Sequence, residues 1–93
     1  MDAILAFNDL VAVGALQACE DMGRKVPDDV AIIGADDIPI ATMLRPRLTT
    51  LHIDLSAVGA QALALVLSMI SSQSNGAGTA YQIDPELVIR ESA

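Results

Sequence analysis

Ala3-Ile4-Leu5-Ala6-Phe7-Asn8-Asp9 is the stretch that decides the fold. Residues 3–7 are a continuous apolar run, too short for a helix and consistent with a strand buried on both faces. Asn8 and Asp9 follow at once, and both carry short side-chain oxygens that accept from the free N–H groups of a first helical turn. The spacing then predicts a helix over residues 10–22. It stops at Gly23, which suits the position past a helix end because it has no Cβ.

Downstream, Pro27 marks a break within residues 24–29, and residues 30–34 form a second apolar run rich in β-branched side chains. Strand, helix and strand in this order fit a βαβ unit of roughly 30 residues or more, whose handedness places the two strands parallel. The expected class is therefore α/β, a parallel sheet with flanking helices. Asp36, Asp37 and Pro39 open a short helical or irregular stretch that Arg45-Pro46-Arg47 ends. Residues 48–53 read as a third strand, and Asp54 is placed to cap a long helix over residues 55–71. That helix is apolar nearly all round, so cover on more than one side is expected. Residues 71–79 are a Ser/Gly/Asn-rich loop, and residues 81–89 read as a last strand that Pro85 interrupts or places at an edge.

Composition narrows the function. Phe7 and Tyr81 are the only aromatics although 53% of the chain is hydrophobic, so the core must be built from Ala, Val, Ile and Leu. A net charge of −7, with the basic residues scattered as Arg24, Lys25, Arg45, Arg47 and Arg90, leaves no stripe able to neutralise phosphates. The chain itself is thus not expected to bind nucleic acid. Its start lacks the basic and apolar regions of a secretory signal. The most apolar segment, residues 57–70, is broken by Gly59, Gln61 and Ser68 and falls short of the ~20 residues a membrane span needs. No membrane partner is expected.

In open parallel sheets, ligands bind beyond the carboxyl ends of the strands. Asn8 and Asp9 follow the first strand and Asp36 and Asp37 follow the second, so all four are candidates for one ligand-binding rim. An amide that donates and accepts, with carboxylates that accept, suits a polyhydroxylated or heterocyclic ligand. The competing reading is that these residues only cap the helix and turn that follow them. His52 has no second histidine or thiol nearby and reads as a surface or hinge contact, so no metal is expected. Cys19 reads as a small buried hydrophobe. Nothing resembles a catalytic base and nucleophile, the glycines match no phosphate-binding fingerprint, and neither enzyme activity nor a cofactor is expected. Arg45 and Arg47 read as solvated loop charges.

Residues 6–15, from Ala6-Phe7-Asn8-Asp9-Leu10 to Ala15, and residues 26–39, with Val26-Pro27-Asp28-Asp29-Val30 and Gly34-Ala35-Asp36-Asp37-Ile38-Pro39, closely resemble the LacI/GalR repressor family. Leu48-Thr49-Thr50 and Pro85-Glu86-Leu87-Val88-Ile89-Arg90-Glu91-Ser92 resemble its later blocks in order and spacing. The resemblance implies a periplasmic-binding-protein-like sensor of type I in the cytoplasm, of which residues 1–93 are the C-terminal part. A helix-turn-helix domain and most of an N-terminal subdomain would lie upstream. It further implies that Asn8 and Asp36 contact a carbohydrate or nucleoside effector, that the neighbourhood of Leu55 lines the cleft, and that Leu10, Val13 and Leu44 lie on homodimer surfaces. Operator DNA would be met only through the missing domain. The chain would cross between subdomains near Asp54 and return before the final strand. Ala35 stands where an aromatic is common in the family. The alternative of the same fold is an extracytoplasmic sugar-binding protein of a transporter. A Rossmann-type enzyme is disfavoured by the absent glycine fingerprint.

Overall fold

The computed structural model describes residues 2–72 and 80–93. Its elements run β1 (Ala3–Leu5), α1 (Asp9–Asp21), β2 (Ala31–Asp36), α2 (Ile40–Met43), β3 (Thr49–His52), α3 (Leu55–Ser72) and β4 (Glu86–Val88). The chain divides into two units, Met1–His52 with Pro85–Ala93, and Ile53–Asp84. The boundary at His52 and Ile53 coincides with the expected crossing near Asp54.

In the first unit the four strands lie in sequence order. β1 and β2 pair in parallel with Leu5 opposite Ile33, and β2 and β3 pair in parallel with Asp36 opposite His52. β4 joins the edge antiparallel, with His52 opposite Glu86. The sheet is therefore mixed rather than wholly parallel. The chain leaves the carboxyl end of β3 and comes back to that same end, and a strand that returns where its neighbour finished must run the other way. Residues 81–84, expected to belong to the last strand, lie outside it, since Pro85 has no N–H to extend the ladder.

Both ends of α1 are chemically fixed. Asn8 Oδ1 accepts from Val11 N at 2.9 Å. At the far end Gly23, at φ 68, donates to Glu20 O while Arg24 N donates to Cys19 O, the paired bonds of a Schellman stop. Ala12, Cys19, Val30, Ile32, Ala41 and Leu48 form the buried core, with Ile4, Ala15 and Leu16 packed against it. Gly34 lies where α1 crosses β2. A Cβ at that position would collide with Asp9 Oδ1 and come within 2.9 Å of Leu48 Cδ2 and 3.3 Å of Asp9 Cα. Only a bare backbone lets the helix start so close to the sheet.

β1 is not buried on both faces. Ile4 packs against the core, whereas Leu5 is 78% and Phe7 87% exposed. Alternate residues of a strand point to opposite faces, and here α1 covers only one of them. In the second unit, Asp54 caps α3 by accepting from Ala57 N at 3.0 Å, and the long helix follows. Apart from half-buried Ala57 and Leu65, its described residues are exposed. One helix cannot bury its own circumference. Most of the Ser/Gly/Asn-rich segment, residues 73–79, lies outside the described residues.

Candidate functional site

Parallel pairing sets the level of the two polar clusters. Leu5 is opposite Ile33, and Asn8 and Asp36 each lie three residues further on. Both therefore stand at the carboxyl end of the same sheet, beside His52 at the end of β3. Asn8 Oδ1 is committed to the helix cap, which leaves its Nδ2 amide as a donor. The Asp36 carboxylate is half-buried and has no hydrogen-bond partner among the described residues, which leaves it as an acceptor. Together they offer a donor and a charged acceptor, a pair that suits vicinal hydroxyls or a heterocyclic amide.

Asp9 and Asp37, placed by sequence in the same clusters, face other tasks. Asp9 is fully buried. Its Oδ1 accepts from Thr50 Oγ1 at 2.6 Å and its Oδ2 from Ile38 N at 2.8 Å, so one carboxylate ties α1, β3 and the loop after β2 together. Asp37 Oδ1 accepts from Arg90 Nη2 at 2.8 Å, and its Oδ2 lies 3.0 Å from His52 Nδ1. Burial alone would raise the Asp37 pKa, but its hydrogen bonds and charge pairing with Arg90 and His52 outweigh that and hold the carboxyl below its ordinary value. Asp36 and Asp37 also share an uncommon backbone, with φ of 99 and 54 respectively. L side chains enter that region at a cost of roughly 1–3 kcal/mol, and such residues gather where a structure must aim a functional group.

The remaining candidates are dispersed. Val13 and Leu44 line one groove of about 360 Å³ together with Leu16, Val26 and Pro46. Leu10 does not line it and is 63% exposed on α1. Leu55 is the first residue of α3, in the second unit, and is also exposed. Arg47 is half exposed and 3.9 Å from Glu91, as a solvated loop charge would be. Arg45 turns back onto Leu44 O at 2.7 Å. Cys19 is buried in the core. Among the described residues, no three of His, Cys, Asp and Glu gather as metal ligands. No described helix is long and apolar enough to cross a membrane.

Sequence reasoning missed the Arg90-Glu91-Ser92 stretch as a structural device. Fully buried Ser92 donates from Oγ to Ile32 O at 2.6 Å and accepts from Thr49 N at 2.8 Å. Glu91 Oε1 accepts from Arg47 N at 2.9 Å, and Arg90 Nη1 donates to Leu48 O at 2.9 Å. These residues stitch β2 to β3 across more than 40 positions of sequence. The only advance signal was that three polar residues follow an apolar strand.

Three parallel strands with an antiparallel fourth, a covering helix and a polar rim at the carboxyl ends of β1 and β2 define an α/β fold. A match to the periplasmic binding protein-like domain extends over residues 1–93, and the chain belongs to that family. Its relatives within the family are LacI-type regulators, as the sequence blocks implied. The HTH-type transcriptional repressor PurR of Histophilus somni is 41% identical over 90 residues, covering 97% of this chain and 27% of the repressor. The ribose operon repressor of Halalkalibacterium halodurans is 38% identical over 92 residues, covering 99% and 28% respectively. A LacI family transcriptional regulator from Arthrobacter sp. FB24, solved in complex with lactose, superposes with a TM-score of 0.86 at 41% identity. That alignment covers 99% of this chain and 35% of the regulator. The chain thus spans about a third or less of the proteins it matches.

Proposed function

We propose that this chain is the effector-binding and dimerisation segment of a LacI-type transcription repressor acting in the cytoplasm. Asn8 and Asp36 hold a carbohydrate or nucleoside-like effector. Asp9 and Asp37 serve the same site from behind by fixing the loop that carries Asp36. Leu10, Val13 and Leu44 face a second copy of the chain. The effector acts by favouring one of two dimer states that differ in operator affinity, and DNA is met through a helix-turn-helix domain outside these residues. No chemical conversion of the ligand is involved.

One observation carries this reading: two neighbouring parallel strands present, at the same end of the sheet, an amide N–H and a carboxylate that have no partner among the described residues. The relatives add support: two are repressors, and a LacI family transcriptional regulator was solved with lactose. They favour a regulator over a transport binding protein. The test is calorimetric titration of the full-length protein with lactose, D-ribose and adenosine. Asn8→Ala or Asp36→Ala should each cost about 1–3 kcal/mol of effector affinity through lost hydrogen bonds to a desolvated ligand. Equal affinity in both variants and the wild type would overturn the assignment.

A further inference from the structure

Asp36 and Asp37 are consecutive, yet only one of them is held. Asp36 has no side-chain partner among the described residues, whereas Asp37 is bonded at both oxygens, by Arg90 and by His52. Arg90 is itself immobilised. Its Nη1 donates to Leu48 O at 2.9 Å and its backbone N donates to Thr49 Oγ1 at 2.8 Å, and its side chain is 16% exposed. One residue beyond Asp37, Ile38 N is anchored on the buried Asp9 carboxylate. The free carboxylate is therefore followed directly by two fixed points. Both aspartates have positive φ, a conformation that an L residue keeps only where its surroundings hold it.

We infer that Arg90 is a positioning residue for the effector site: by clamping Asp37 it holds the left-handed backbone of residues 36–37 and so sets where the Asp36 carboxylate points. The inference rests on Asp36 being an effector contact. Arg90 reaches no ligand itself. A guanidinium suits the task because its planar fork bonds Leu48 O and the Asp37 carboxylate at once, which an ammonium does less well. His52 is the weaker brace, with its side chain 45% exposed. The stretch after β4 thereby acts on a ligand site at the end of β2.

Arg90→Met and Arg90→Lys in the full-length protein test this in two ways. Amide hydrogen exchange compares Ile38, in the clamped loop, with Ile32 of β2, whose N–H is bonded to Ser92 O. Arg90→Met should lower Ile38 protection at least about tenfold and leave Ile32 unchanged, and Arg90→Lys should recover part of the loss. Equal losses at both amides would mark Arg90 as a general stabiliser and overturn the inference, as would an unchanged Ile38. Titration with lactose, D-ribose and adenosine gives the second readout. Arg90→Met should weaken binding about tenfold in the wild-type background but less than about twofold when Asp36→Asn is already present. Losses that multiply independently would overturn the positioning role. If the wild type binds none of the three probes, the effector reading fails for them, and the exchange comparison still decides whether Arg90 holds the loop.

Discussion

The two units of this chain solve the problem of apolar surface in opposite ways. The first buries Ile32 and Leu48 in one core with Ala12 of α1 and fastens the layers with Asp9, Thr50 and Ser92, all of them buried and hydrogen-bonded. Fully burying an Ile or Leu contributes about 1.5–3 kcal/mol, so a small core needs such fastening to hold one arrangement. The second unit presents Leu63, Val66, Leu67 and Ile70 on a helix whose side chains are at least half exposed at each of those positions. A well-capped helix is thus not a well-packed one. Capping satisfies the first turn, while most helical stability in proteins comes from a covered face.

The contrast can be broken most severely at Gly34. Gly34→Ala drives a methyl into the start of α1 and should destabilise the first unit by about 3 kcal/mol, read as a lower urea midpoint. A midpoint within experimental error of the wild type would mean that α1 does not approach β2 as described. The Asp37 clamp sharpens the comparison through pH. Its carboxyl pKa is depressed in the folded state, so the stabilisation is complete above the ordinary value of 3.8 and is lost as pH falls through the lower folded value. Asp37→Asn should therefore be less stable than the wild type by about 1–2 kcal/mol at pH 7, and the gap should close below pH 3.8. A gap that persists at the lowest pH would remove the charge pairing from the account. The smallest effect belongs to α3. Leu67→Glu should change the unfolding free energy by less than about 0.5 kcal/mol, since Leu67 is 54% exposed. A large change would show that Leu67 is covered rather than exposed.

How much of this was legible in the sequence depended on distance along the chain. The Asn8 cap, the Gly23 stop and the Asp54 cap were read correctly because each is settled within four or five residues. The shared end for Asn8 and Asp36 also followed, since a βαβ crossover fixes parallel pairing. The direction of β4, the Arg90 and Ser92 bonds and the exposure of Leu5 depend on partners tens of residues away or on a covering layer, and local pattern carries neither. Asp9 and Asp37 show the limit most clearly. They are short polar residues directly beside Asn8 and Asp36, yet Thr50, Ile38, Arg90 and His52 give them bracing contacts that only the folded chain brings within reach.

The antiparallel pairing of His52 with Glu86 has a consequence for engineering. The sheet leaves and re-enters at adjacent points, so the whole of Ile53–Asp84 is an insertion between partners that already touch. A two- to five-residue turn of Asn-Gly type, the ordinary hairpin connection, would span the same gap at lower closure entropy. Excising the segment would leave a four-stranded miniature that keeps Asn8, Asp36 and Arg90.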